Sequence, residues 1–219
     1  MFLSCVEVDW RDRQRLQTLT HLGAFHDWVE QSFPAAVAAG TRPRHLWRLD
    51  ELAGHEYLLV LSAERPDPVG LARYGVAGSL EVKNYAPFLA QLQQGQQLRF
   101  RLTANPAHAV KDGTDPQARG KVYPHVTVAQ QRQWLMDRAG AAGFALLAGT
   151  NGPQFDIVGR DHPVMRHKRR HAVRISRVTF EGRLEITDLE QFKTTLTTGL
   201  GREKAYGMGL MTVIPEVTE

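Results

Sequence analysis

The segment TDLEQFKTTLTTGLGREKAYGMGLMTVI, Thr187 to Ile214, holds a complete helix, its stop signal and the strand that follows. Thr187 and Glu190 have the Thr-x-x-Glu spacing of a capping box, and Leu189, Phe192 and Leu196 recur at helical offsets. Gly199 stands where a C-terminal cap belongs, and the residues from Gly209 to Ile214 read as a closing strand. A long β-run from Ala172 to Ile186 precedes the helix, with an inward parity that changes between Ile175 and Val178, which predicts a bulge. The segment therefore ends a unit as strand, helix, strand.

Working back toward the N-terminus, Phe155 to Val158 and Phe144 to Leu147 read as short strands. Val128, Leu135, Ala139 and Ala142 recur at helical spacing, and Gln97 to Thr103 (QLRFRLT) alternates as a strand. Asn84 to Gly95, with Pro87 and several glutamines, reads as a connection. Before it the same order occurs once more. Phe2, Val6 and Val8 share strand parity, Leu22, Phe25, Val29 and Phe33 form a helical stripe limited by Pro34, and His45 to Leu49 and Tyr57 to Leu61 are β-rich. A short helical stretch near Val69 to Tyr74 and a strand at Ser79 to Val82 complete it. The expected architecture is α+β, two tandem ferredoxin-like βαββαβ domains, divided as 1–90 and 91–219.

Composition agrees with a folded body throughout: 219 residues are enough for two cores of ordinary size, and 42% hydrophobic with 23% charged residues is globular. The single cysteine, Cys5, excludes an internal disulfide and a Cys-based zinc site, and fits a reducing compartment. The opening MFLSCVEVDW lacks a basic n-region and a sustained apolar run, so no signal peptide is expected, and nothing approaches the ~20 apolar residues of a membrane span. A soluble, cytoplasmic protein with no membrane partner is the expectation. The net charge of +4 is modest, so its distribution matters more than its size.

Three features can carry chemistry. Gly199, Gly201, Gly207 and Gly209 are paired at the two ends of a short stretch that also holds Arg202 and Lys204. Glycines let backbone amides approach phosphate oxygens closely; the alternative is a tight connection after a helix cap. The spacing matches neither a Walker loop nor a dinucleotide fingerprint, so no nucleotide cofactor is expected. The second feature is Arg166, Lys168, Arg169 and Arg170, four fixed positive charges between two β-runs. At a hairpin tip they would repel one another unless an anion such as an RNA backbone lay between them; a solvated charged loop is the alternative. Lys111, Arg119 and Lys121 lie in a second loop able to reach the same ligand. The third is His26, at the edge of the first helix's apolar stripe, which by itself reads as a structural residue. The nine histidines form no His-Glu-x-x-His pattern, so no metal is expected.

The chain resembles, nearly end to end, the CasE family of CRISPR repeat-processing endoribonucleases, the RNA-cutting subunit of the Cascade complex. The resemblance is carried by MFLSCVEV, by His26-x6-Phe33-Pro34, by LRFRLTANP (98–106), by FEGRLEI (180–186) and by Gly199 to Gly209. It implies binding of a CRISPR repeat hairpin, cleavage at the 3′ side of the stem without a metal, retention of the mature crRNA through its 3′ hairpin, and association with other Cascade subunits. It implies that His26 assists attack of a ribose 2′-hydroxyl on the adjacent phosphate, and that the tract from Arg166 to Arg170 grips the stem. Where the family often has a tyrosine, one turn before the histidine, this chain has Gly23. That difference leaves open a non-catalytic hairpin-binding subunit. His21 lies about 140° from His26 around a helix and is poorly placed to substitute unless the helix begins after it.

Overall fold

The structure is a computed structural model that describes residues 1–41, 43–110, 120–150, 152–165 and 173–216. The first half runs β1 (Phe2–Glu7), α1 (Arg13–Leu16), α2 (Leu22–Gln31), α3 (Pro34–Ala38), β2 (Leu46–Leu52), β3 (His55–Ser62), α4 (Pro68–Leu71) and β4 (Glu81–Asn84). Its strands pair antiparallel in the order β2-β3-β1-β4, so β1 and β2 are separated by β3 and the helix between them must cross the sheet. β2 and β3 are joined at Ala53 and Gly54, which both take positive φ (53° and 80°), the conformation that matches a tight hairpin to the strand twist.

Both faces of this sheet are used. Val6, Trp47, Leu58 and Val60 pack against Phe25, Trp28 and Val29 of α2, whereas Leu46 and Leu61 pack with Tyr85 and with Leu210 of the second half. β2 is thus the seam between the halves. α2 stops earlier than the apolar stripe suggests: the Ser32 hydroxyl bonds to the Trp28 carbonyl (2.8 Å), and Phe33 becomes the residue before α3, which Pro34 starts rather than ends.

The second half runs α5 (Ala86–Gln91), β5 (Gln97–Ala104), β6 (Ala107–Val110), β7 (Lys121–Pro124), α6 (Val128–Ala139), β8 (Phe144–Leu146), β9 (Ala148–Gly149), β10 (Gly152–Pro153), β11 (Phe155–Asp161), β12 (Val164–Met165), β13 (Val173–Arg174), β14 (Arg177–Ile186), α7 (Leu189–Thr198) and β15 (Met211–Pro215). Its sheet is ordered β11-β14-β5-β15, with β8 also on β14. β8 and β11 pair with the two ends of β14 and are the two pieces of one outer strand, split by the small β9–β10 hairpin. With that strand counted once, the order repeats that of the first sheet, and the α+β tandem ferredoxin-like expectation holds.

Three local readings are corrected. The connection from Asn84 to Gly95 contains α5, whose Phe88 and Leu89 pack against the cores. The cap of α7 is Asp188, not Thr187: the Asp188 carboxylate accepts the Gln191 amide (3.0 Å), while the Thr187 amide is held by the Gly143 carbonyl (3.0 Å). The reciprocal capping box lies instead at α6, between Thr127 and Gln130. The parity change between Ile175 and Val178 marks a break between β13 and β14, and the irregular register sits in the partner strand β11, between Ile157 and Gly159. Among the described residues no helix is long and apolar enough to cross a membrane.

Candidate active site

α2 begins immediately after His21, whose Nδ1 accepts the Ala24 amide (3.1 Å) and caps the helix. The helix does start beyond His21, but that ring nitrogen is committed to the cap, and a Cβ on Gly23 would lie 3.1 Å from it. Phe25, Trp28 and Val29 face the core, which turns His26 toward the second half. The His26 side chain is 36% exposed, and its Nδ1 is buried with no hydrogen-bond partner among the described residues. One turn on, Oε1 of Glu30 lies 3.9 Å from that nitrogen. The same oxygen is 2.9 Å from Nδ1 of His45, a buried ring stacked on Phe33 at 3.8 Å.

The facing wall is the glycine-rich segment. Gly199 ends α7 with φ 78°, and the Leu200 amide bonds to the Gly209 carbonyl (2.9 Å), closing the segment into a loop. The Lys204 amino group folds back onto the carbonyls of Thr198 (2.7 Å) and Gly199 (2.6 Å), the open end of the helix. Burial, and then the nearby Arg44, lower its pKa. Glu203 holds the left-handed conformation (φ 57°) that costs a non-glycine residue ~1–2 kcal/mol. The Tyr206 ring then lies 6.0 Å from the His26 ring, centroid to centroid.

His26, Glu30, Arg44, Gly201, Arg202 and Lys204 are among the residues that line one cavity of about 520 Å³ between α2 and this loop. Three of the sequence-predicted residues, Gly201, Arg202 and Lys204, are thus brought to His26. The other glycines serve packing: a Cβ on Gly199 would meet Leu46 at 2.9 Å and one on Gly207 would meet Trp47 at 2.6 Å, while Gly209 is buried in the loop closure. Lys121 is exposed at the start of β7 and is not among the residues lining the cavity. Lys111, Arg119, Arg166, Lys168, Arg169 and Arg170 lie outside the described residues; the strands flanking the basic tract, β12 and β13, are paired with each other.

Glu30, Arg44, His45 and Tyr206 were missed in the sequence. Glu30 could have been found from its four-residue spacing to His26, and Arg44 from the Arg42-Pro43-Arg44 doublet. His45 and Tyr206 carry no local signal. Among the described residues no three His, Cys, Asp or Glu side chains are grouped to hold a metal ion.

Residues 1–215 match the profile of the family described as CRISPR associated protein. The chain belongs to that family. It is 33% identical to the CRISPR-associated endoribonuclease Cse3 of Thermus thermophilus, over 98% of this chain and all of the relative. It also superposes on solved family structures: CRISPR endoribonuclease Cse3 bound to 19 nt RNA (TM-score 0.80, 32% identity, 98% of this chain and 100% of that one) and Thermus thermophilus Cse3 bound to an RNA representing a pre-cleavage complex (0.78, 31%, 98% of each). The CasE resemblance read from the sequence is borne out.

Proposed function

We propose that the chain is an endoribonuclease that binds the hairpin of CRISPR repeat RNA and cleaves the precursor at the 3′ side of the stem. The observation that carries the reading is His26 opening into a cavity whose cations come from both halves of the chain, Arg44 from one and Arg202 and Lys204 from the other. Full-length similarity to a named endoribonuclease, and to solved structures of Cse3 bound to RNA, supports it.

In the proposed step the ribose 2′-oxygen attacks the adjacent phosphorus as His26 takes or relays its proton. The bond from phosphorus to the 5′-oxygen breaks and that oxygen is protonated, giving a 2′,3′-cyclic phosphate and a 5′-hydroxyl. The nucleophile is internal to the RNA, so imidazole acid–base chemistry suffices. Charge grows on the non-bridging oxygens as phosphorus becomes five-coordinate, and Arg44 and Arg202 are the cavity's exposed cations to meet it. Lys204 has two of its three N–H groups spent on α7 and retains one. On this reading residues 1–90 supply the histidine and residues 91–219 the loop and the basic hairpin. The protein holds its product in the cytoplasm and joins other Cascade subunits.

Gly23 favours a second reading, a subunit that grips the hairpin without cutting it. Single-turnover cleavage of the host's repeat RNA in EDTA separates the two. His26→Ala is expected to lose ~10²–10⁴ in rate with hairpin affinity unchanged. Tight binding with no cleavage by the unmodified protein, or loss of affinity in parallel with rate in the variant, overturns the enzyme reading.

A further inference from the structure

We propose that Glu30 is a positioning residue for His26: it holds the neutral imidazole in the tautomer that carries the proton on Nδ1, which leaves the Nε2 lone pair for the substrate. The proposal rests on the reading of His26 as the acid–base group.

A neutral imidazole has one N–H and one lone pair, and burial decides which nitrogen carries which by the partner each one meets. His26 Nδ1 is shut off from solvent and has no hydrogen-bond partner among the described residues. The charged group facing it is a carboxylate oxygen, Glu30 Oε1, at 3.9 Å. A lone pair on Nδ1 would point at that anion and find no donor; an N–H there is attracted to it. Closing the gap to hydrogen-bond length takes about 1 Å of side-chain movement, the kind of tightening catalytic hydrogen bonds undergo when substrate binds.

Glu30 is also prevented from turning away into water. His45 Nδ1 lies 2.9 Å from the same Oε1 and donates to it. His45 itself is fixed, with its ring stacked on Phe33 at 3.8 Å and 10° and its side chain only 2% exposed. One carboxylate oxygen accepts two hydrogen bonds, so the anchor to His45 does not consume the capacity needed for His26. Lys204, which lines the same cavity, is bound to the carbonyls of Thr198 and Gly199 and does not neutralise the carboxylate. On the other side the Tyr206 ring packs at 6.0 Å from His26 and limits how far the imidazole can swing. Glu30 thus does for His26 what an orienting carboxylate does for any acid–base histidine. It does so from one helical turn away, with its own geometry set by a second histidine.

Long-range proton–nitrogen correlation spectra of nitrogen-labelled histidine read the tautomer directly, and single-turnover cleavage of repeat RNA reads the consequence. In the unmodified protein His26 should appear as the Nδ1–H form. Glu30→Ala should convert it to the Nε2–H form that free imidazole side chains prefer and slow cleavage by about 10- to 100-fold, with hairpin affinity unchanged. Glu30→Gln, whose amide oxygen still accepts, should keep the Nδ1–H form and most of the rate. An Nε2–H ring in the unmodified protein, or a tautomer and rate indifferent to Glu30→Ala, overturns the proposal. The first of these needs no variant to fold. His26→Ala measured alongside keeps the two levels apart: undiminished cleavage there refutes the catalytic reading itself, whereas an inactive His26→Ala beside a fully active Glu30→Ala refutes only the role of Glu30.

Discussion

Gly207→Ala tests why the conspicuous loop is built from glycine. At φ 76° any Cβ is strained by ~1–2 kcal/mol, and the new atom would lie 2.6 Å from Cζ3 of Trp47 and 2.9 Å from its Cε3 and Cη2. The indole has no easy escape: it is buried, stacked on Phe25 with centroids 6.1 Å apart, and its Nε1 donates to the Ala205 carbonyl (3.2 Å). Forcing a methyl into a packed site of this kind costs ~1–3 kcal/mol, so the total is about 2–5 kcal/mol. For a chain of this size that is a fall in Tm of roughly 5–15 °C, read by thermal or urea unfolding. Gly40→Ala is the control, because Gly40 also has positive φ (65°) but nothing lies within 4 Å of an added Cβ; it should show the backbone cost alone. Cleavage should fall with Gly207→Ala too, since displacing Trp47 moves Ala205 and Tyr206 against His26. The reasoning is refuted by unchanged stability together with weakened RNA binding, which would mean that the glycine makes room for the ligand.

Substitutions at two further positions probe the seam between the halves. Arg48 is 1% exposed and donates to both Asp50 carboxylate oxygens (2.7 and 2.6 Å), to the carbonyls of Arg101 (2.8 Å) and Leu210 (2.9 Å), and to the Thr212 hydroxyl (2.8 Å), so it ties β2 to β5 and β15. Arg48→Ala should cost ~3–5 kcal/mol in urea unfolding, and Arg48→Lys should recover little, because an ammonium cannot reproduce the planar fork; a loss below ~1 kcal/mol would refute the clasp. Burial pushes the Tyr85 phenol from its ordinary 10.0 up to about 12. Its protonated form is kept longer in the folded state, so its contribution is whole below pH 10. Stability is withdrawn as pH rises from about 10 toward 12, by up to ~2.7 kcal/mol for the two units. The stability of the unmodified protein relative to Tyr85→Phe should therefore decline across that window, and a flat difference would contradict it.

The fold was legible wherever local periodicity and punctuation agreed. The helix at Leu189–Thr198 could be read because its apolar spacing and Gly199 sit next to one another in the chain. The split outer strand could not, because β8 and β11 are defined by their shared partner β14, some 20 to 40 residues away, and have no single β-run of their own. α5 was hidden by its shortness and by Pro87, which breaks a pattern when read as interior but is at home in a first turn. The cap was misplaced by one residue because Thr187 and Asp188 are both capping side chains whose amides share the Gly143 carbonyl (3.0 and 3.1 Å), and only the Asp188 carboxylate accepting the Gln191 amide decides between them.

The site divides the same way, and its division has a consequence for how the chain must fold to act. His26 and Glu30 share one helix, but His45 arrives from before β2, and Arg202, Lys204 and Tyr206 come from about 175 residues further along. No single element places them. Two neighbouring residues of β2 do: Trp47 holds the Ala205 carbonyl and seats Gly207, and Arg48 holds the carbonyls of Arg101 and Leu210. Their side chains alternate along the strand, so one packs on α2 while the other reaches the second sheet, and β2 sets the distance between histidine and loop. On the proposed function, stability and rate are therefore coupled through β2: substitutions at Trp47 or Arg48, neither of which lines the cavity, should slow cleavage before they prevent folding.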